Sequence, residues 1–228
     1  GSVFGAANFG VLFGSLLFSM LADKIGRRPV LIFATAFFSI LTLLTARATS
    51  VQELLALRFI AGIGLGSIIP QTAALVGEYS PRRNRVAMMM ITNTLGFNGG
   101  AMMGGFVSAW LIPIFGWRSV FYIGGIAPFV IAVLMYFWLP ESMQFLTLRN
   151  KTPEQVANWL RRINPKAAAD GSVKYVVQEE NKSGIPFVHL FREGRTMVTI
   201  LVWLINFMNL LNLYFLASWI PTVVRNAG

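Results

Sequence analysis

The sequence predicts an all-α membrane protein. Three observations indicate this class: a hydrophobic fraction of 55%, a charged fraction of only 12%, and long runs without any charged residue. A soluble domain carries a charged fraction of about 25%. Each uncharged run is close to the ~20 residues with which an α-helix crosses a hydrocarbon layer of ~30 Å. We therefore predict six spanning helices, over 1–22, 29–46, 59–77, 86–117, 119–140 and 196–225.

The basic residues lie mainly on alternate connections between these helices. Fifteen of the nineteen Lys and Arg fall within three segments, 24–28, 82–85 and 149–195. This alternation follows the positive-inside rule and places the three segments in the cytoplasm. Membrane topology therefore explains the net charge of +10. We expect the basic residues to face the lipid bilayer and predict no binding to nucleic acid.

The predicted helices fall into two groups around one long polar segment. Residues 1–140 hold five of them, 141–195 form a cytoplasmic loop, and 196–228 hold the sixth helix and the start of an outer loop. Within the loop, an amphipathic helix is predicted to begin at Thr152. This helix is expected either to lie at the inner membrane surface or to pack in a linker domain without lipid contact. The first helix must run from outside to inside, so we expect a fragment that lacks at least one preceding helix.

The stretch "ADKIGRRPV" (22–30) is predicted to be a turn between two antiparallel helices. Gly26 permits a tight reversal, and Arg27 and Arg28 hold the turn on the cytoplasmic side. Topology does not require Asp23. An acid at a helix end can pair with basic groups or with the N-terminus of another helix. We therefore predict that Asp23, Gly26, Arg27 and Arg28 belong to a conformational latch.

Arg58 directly precedes the uncharged run 59–77, and we expect it to fall inside the membrane span. A guanidinium at membrane depth costs about 2.5–3.5 kcal/mol on insertion scales, so it usually faces a partner or an aqueous cavity. Arg58 is therefore a candidate functional residue; the alternative is that it snorkels to the outer surface. Three glycine pairs with a spacing of four predict close helix packing: Gly10 and Gly14, Gly62 and Gly66, and Gly100 and Gly104.

Three motifs resemble those of the major facilitator superfamily of transporters. "SMLADKIGRRPVL" resembles the loop between the second and third helices of that family, with Ser19 in place of its leading glycine. "RFIAGIGLG", which starts at Arg58, and "GEYSPRRNR", which contains Glu78, resemble the fourth helix and its cytoplasmic end. The resemblance implies helices 2 to 7 of twelve: most of the N-terminal six-helix lobe, the central cytoplasmic loop and the first helix of the C-terminal lobe.

The resemblance also implies roles for particular residues. It associates Arg58 with proton coupling and anion handling, and we group Glu78 with it as a second candidate. Glu78 is also expected to join Asp23 and Arg27 in the latch. "GFNGGAMMGG" matches the glycines of an antiporter pattern, but Ala101 occupies the position of its proline. This departure favours symport or facilitated transport over exchange.

A narrower resemblance is to the aromatic acid:proton symporters. It is carried by "GWRSVFYIGGIAPFVIAVLMYFWLPESMQFL" and "WLINFMNLLNLYFLASWIPTVV". It implies a monomeric transporter of the bacterial inner membrane that imports benzoate-type or hydroxybenzoate-type anions with protons by alternating access. The alternative within transport is a sugar, polyol or other organic-acid porter. A channel does not need the pattern from Asp23 to Arg28.

The sequence offers no constellation for catalysis or for a bound cofactor. Paired intramembrane carboxylates, metal-spaced His or Cys and a nucleophile with a base are all missing from the motifs, so we predict no enzyme, cofactor or metal site. Asn206 and Asn209 fall near the middle of the last span, where transporter sites lie, and are candidates for the substrate cavity. Hydrogen bonds to a neighbouring helix are the alternative for both.

Overall fold

The structure consists almost entirely of helices. The computed structural model describes residues 2–81, 83–148, 191 and 194–227. The helices are α1 (Ser2–Ile25), α2 (Arg27–Thr45), α3 (Val51–Tyr79), α4 (Arg85–Phe115), α5 (Arg118–Trp138), the short α6 (Met143–Leu148) and α7 (Thr196–Ala227). The predicted all-α class is confirmed. The amphipathic helix predicted from Thr152 lies outside the described residues.

The chain divides into two compact units. The first, Gly1–Val177, holds α1 to α6, and the second, Gln178–Gly228, holds α7. Helices α1 to α5 are each long and apolar enough to cross a membrane. Helix α7 forms where the sixth span is predicted. Among its described residues, the apolar segment is Thr196–Asn212, which is shorter than the predicted span.

Helix α3 begins earlier than hydropathy predicts, at Val51 instead of residue 59. The reason is a capping arrangement at its N-terminus. The Ser50 hydroxyl accepts a hydrogen bond from the backbone N–H of Glu53 at 3.1 Å. The Glu53 carboxylate in turn accepts from the backbone N–H of Thr49 at 2.9 Å. The first bond satisfies an N–H group that a helix start leaves open, and the second holds the residue before the N-cap in place, so the helix extends beyond the uncharged run.

Helices α1 and α3 pack backbone to backbone through two of the glycine pairs. A β-carbon on Gly10 would collide with the carbonyl oxygen of Phe59, and one on Gly66 would collide with that of Val11. Gly14 and Gly62 lie in the same contact. The close packing predicted for these pairs is therefore confirmed, and it fixes the position of α3 against α1.

Helix α2 packs against both α3 and α5. Ser39 is fully buried, and its hydroxyl donates to the carbonyl oxygen of Gly125 in α5 at 2.6 Å. The buried hydroxyls of Thr35, Thr42 and Thr45 donate to carbonyl oxygens of their own helix at 2.7–2.8 Å. The polar groups inside this apolar contact are thus satisfied, as the membrane interior requires.

Helix α4 is the least covered helix of the first unit. Leu111 is its buried residue, while most other side chains are exposed. A β-carbon on Gly100 or Gly104 would meet no atom within 4 Å among the described residues. The packing predicted for this third glycine pair therefore does not occur within α1 to α6. Ala101 lies on the same exposed helix, and its bearing on symport remains a prediction.

Candidate functional site

The turn between α1 and α2 is a single residue, Gly26. Its φ of 108° lies in the range that favours glycine. Its backbone N–H donates to the carbonyl oxygen of Ala22 at 3.0 Å. A β-carbon at this position would lie 2.7 Å from Oε2 of Glu141, which approaches the turn from the end of α5. Gly26 is therefore needed for its backbone conformation and also for the space that Glu141 fills.

The carboxylate of Glu141 caps the N-terminus of α2. Its Oε1 accepts hydrogen bonds from the backbone N–H groups of Arg27 and Arg28, both at 3.1 Å. The same oxygen accepts from the backbone N–H of Ser142 at 2.9 Å. A negative charge is favourable at a helix N-terminus, where N–H groups lack partners within the helix. Glu141 thus fills the role of an acid at a neighbouring helix end, which the sequence had suggested for Asp23.

Glu78, near the end of α3, is the second acid at this end of the bundle. Its carboxylate forms an ion pair with the Arg27 guanidinium, and the two side chains are only 12% and 22% exposed. The fully buried Ser142 hydroxyl donates to the same carboxylate, at 2.7 Å to Oε2 and 3.0 Å to Oε1. Partial burial and a second donor make this pair stronger than a surface ion pair.

Two further hydrogen bonds connect the ends of three helices. The Tyr79 hydroxyl donates to the carbonyl oxygen of Glu141 at 2.6 Å. The Arg28 guanidinium donates to the carbonyl oxygen of Tyr136, near the C-terminus of α5, at 2.5 Å. Together, the bonded residues form what we term the cytoplasmic-end cluster, after the side of the membrane on which the sequence predicts them: Gly26, Arg27, Arg28, Glu78, Tyr79, Glu141 and Ser142. It connects the start of α2, the end of α3 and the end of α5.

Asp23 lies outside the cytoplasmic-end cluster. Its side chain is exposed in the last turn of α1, and no hydrogen bond or ion pair joins its carboxylate to any described residue. The structure therefore brings together Arg27, Arg28 and Glu78 but not Asp23. The function of these residues as a latch remains a prediction.

Arg58 lies in α3, half-buried against α5. Its guanidinium carbon is 4.7 Å from the ring centroid of Phe121. Its Nε and Nη2 atoms are buried and have no hydrogen-bond partner among the described residues. Buried donors without partners are costly, above all on a cation in an apolar span. An anionic oxygen that accepts hydrogen bonds from Nε and Nη2 would therefore stabilise this arrangement.

The asparagines of the second unit are exposed on α7. The Asn206 amide nitrogen donates to the carbonyl oxygen of Val202 in its own helix at 2.9 Å. Asn209 is exposed one helical turn later. The Asn206 bond is local to α7, and the assignment of both residues to a substrate cavity remains a prediction.

Sequence reasoning missed the main acid of the cluster and the aromatic partner of Arg58. Glu141 carried a weak signal, since topology places residue 141 on the same side of the membrane as the turn at Gly26. Phe121 carried no signal, because the chain has nineteen phenylalanines and nothing in the sequence distinguishes this one. Both assignments depend on how α5 packs.

Comparison with known proteins gives consistent matches along the whole chain. The model of the Major Facilitator Superfamily matches residues 1–228. The 4-hydroxybenzoate transporter PcaK of Pseudomonas aeruginosa is 40% identical over 229 residues, covering 100% of this chain and 51% of that protein. The gallate transporter of Pseudomonas putida is 40% identical over 228 residues, with coverages of 100% and 50%. The chain spans about half the length of these relatives.

Solved structures show a similar fold. The xylose transporter XylE from E. coli, in a partially occluded inward-open conformation, has a TM-score of 0.63 and 24% identity. The alignment covers 74% of this chain and 46% of that one. The family match confirms that the chain is not an enzyme, and its apolar helices agree with a multi-pass protein of the bacterial inner membrane. The chain belongs to the Major Facilitator Superfamily.

Proposed function

We propose that the whole protein imports small aromatic carboxylates together with protons across the bacterial inner membrane by alternating access. The observation that carries this proposal is the half-buried Arg58 guanidinium, whose Nε and Nη2 have no partner among the described residues. The names of the relatives support the substrate class, since two proteins 40% identical to this chain transport 4-hydroxybenzoate and gallate.

The chemistry of Arg58 suits a carboxylate. The guanidinium presents its N–H donors in one plane, in a geometry that matches two carboxylate oxygens. In a site from which water is largely excluded, such a charge-assisted pair is stronger than in water. An ionised acid therefore binds there more favourably than an uncharged sugar. We propose that Arg58 binds the substrate carboxylate or an acidic group that carries the coupled proton.

The cytoplasmic-end cluster supports a conformational role. Arg27, Glu78 and Glu141 connect three helix ends, so these ends are expected to move together when the site changes its access. Asp23 remains exposed beside the cluster. We propose that its carboxylate pairs with a group of the whole protein's other lobe when the site faces outward, and that this pair breaks when the site faces inward. Because Glu78 already pairs with Arg27, we assign it to this latch in preference to a proton-carrying role.

We propose that Asn206 and Asn209 on α7 line the substrate cavity. Their amides lie in the middle of an apolar helix, and they are exposed within the second unit. An amide can donate to a phenolic or carboxylate oxygen of the substrate. The bond from Asn206 to Val202 uses one of its two N–H donors and leaves the other available.

Uptake by the reconstituted whole protein tests the proposal. Proteoliposomes are given labelled 4-hydroxybenzoate or labelled glucose, with and without an inward proton gradient. We expect saturable uptake of the acid that increases with the gradient and no uptake of glucose. Arg58→Gln should abolish uptake, and Arg58→Lys should restore only part of it because lysine keeps the charge without the planar donor set. Uptake of glucose in preference to the acid would make the protein a sugar porter.

A further inference from the structure

The guanidinium of Arg58 lies over the aromatic ring of Phe121. The guanidinium carbon is 4.7 Å from the centroid of the half-buried ring, within the range of a cation–π interaction. The ring is itself held by an edge-to-face contact with Trp117, at 5.7 Å between centroids. Among the described residues, no carboxylate pairs with Arg58.

The geometry of such a contact leaves the hydrogen-bond donors of arginine free. A guanidinium carries its N–H groups in its plane, whereas the ring attracts its positive charge from the face. A carboxylate in place of Phe121 would neutralise the charge and occupy the donors. An aromatic face stabilises the charge and occupies none of them. This agrees with Nε and Nη2, which have no hydrogen-bond partner in the part of the chain that the structure describes.

We propose that Phe121 is a positioning residue for Arg58. Its ring face fixes the guanidinium between α3 and α5, with Nε and Nη2 available to an anionic oxygen. The inference rests on the proposed function, in which Arg58 acts on the substrate carboxylate or on the proton-carrying acid. The affinity of Arg58 for this anion then depends on the electron density of the Phe121 ring, although the ring makes no hydrogen bond to the anion.

Stepwise fluorination of the ring tests this dependence. Phe121 is replaced in the whole protein by phenylalanine analogues with one, two and three ring fluorines, which weaken the negative ring face with little change in shape. In proteoliposomes, we expect the KM for labelled 4-hydroxybenzoate to increase at each step, to about tenfold with three fluorines. The kcat and the melting temperature should stay near their parental values. A purely structural role would not change KM while leaving both of these quantities unchanged.

Two substitutions and a matched control complete the experiment. Phe121→Trp keeps an aromatic face and should leave KM within about threefold, whereas Phe121→Leu removes the face and should raise KM at least tenfold. The control is Phe129, which lies on the same helix with 42% exposure and without a cation over its ring among the described residues. Its fluorination should not change KM.

The outcomes separate this inference from the proposed function. If the unaltered protein takes up 4-hydroxybenzoate and Arg58→Gln abolishes uptake, but fluorination of Phe121 leaves KM unchanged, the inference is wrong and the proposed function stands. If the unaltered protein takes up no aromatic acid, the proposed function fails and the inference fails with it. A stepwise increase in KM at Phe121, absent at Phe129, supports both.

Discussion

Gly26 is the position at which one methyl group should most disturb the cytoplasmic-end cluster. Its φ of 108° and ψ of 156° lie in a backbone region that is essentially restricted to glycine. A β-carbon there would also lie 2.7 Å from Oε2 of Glu141 and 3.0 Å from Cδ of the same side chain. The variant Gly26→Ala therefore strains the backbone and displaces the carboxylate that caps α2.

The matched control for this variant is Gly116→Ala, on the connection between α4 and α5. Gly116 has φ 76° and ψ 172°, a similar backbone region, but a β-carbon there meets no atom within 4 Å among the described residues. Backbone strain of this kind costs on the order of 1–3 kcal/mol in both variants. Displacing Glu141 adds the loss of a hydrogen bond to a charged acceptor, so Gly26→Ala should lose about 1.5–3 kcal/mol more than Gly116→Ala.

The free energy of unfolding measures this difference. The purified whole protein in mild detergent is titrated with a denaturing detergent, and unfolding is followed by tryptophan fluorescence. In a Glu141→Ala background, Gly26→Ala should cost no more than Gly116→Ala, because the carboxylate that it displaces is already absent. Equal losses for the two glycine variants in the parental background would refute the reasoning.

Three further predictions concern helix packing, the latch and the partly buried acid Glu78. Gly66→Ala drives a β-carbon into a backbone carbonyl oxygen of α1 and should cost about 1–3 kcal/mol by the same titration, while Gly104→Ala should cost close to nothing; similar losses contradict this packing. Asp23→Asn should impair uptake by the whole protein without changing its abundance in the membrane, and a parental uptake rate excludes Asp23 from the latch. Ser142→Ala removes a buried donor to the Glu78 carboxylate and should cost about 1.5–3 kcal/mol. An unchanged unfolding free energy for this variant means that the hydrogen bond contributes nothing.

The existence of the helices was predictable from the sequence because it depends on local properties, and their orientation in the membrane remains a prediction. The transfer of a 20-residue apolar segment into lipid is a property of that segment, and the Lys and Arg bias decides its direction. The early start of α3 also had a local signal, since Ser50 and Glu53 have the spacing of a capping box. The sequence also predicted a tight reversal at Gly26, although the structure shortens the predicted turn over 22–30 to this one residue.

The pairing of the glycines was only partly predictable. Three pairs share one spacing, and spacing alone cannot distinguish a glycine that faces another helix from one that does not. The structure shows that the pairs beginning at Gly10 and Gly62 meet, whereas Gly100 and Gly104 lie on a face of α4 that no described residue covers. Which helix faces which is a property of the bundle.

The candidate site divides in the same way. By itself, the sequence determined that Arg58 is a cation in an apolar span, and it predicted that Asp23, Arg27 and Glu78 lie at the cytoplasmic ends of helices. Only the tertiary structure decided that Glu141, 114 positions from Arg27, caps α2, and that Phe121 holds the Arg58 guanidinium. The physical reason is that burial in lipid and charge at a membrane surface act on each segment separately. A hydrogen bond or a cation–π contact instead requires two groups within a few ångströms, and that distance is set by helix packing.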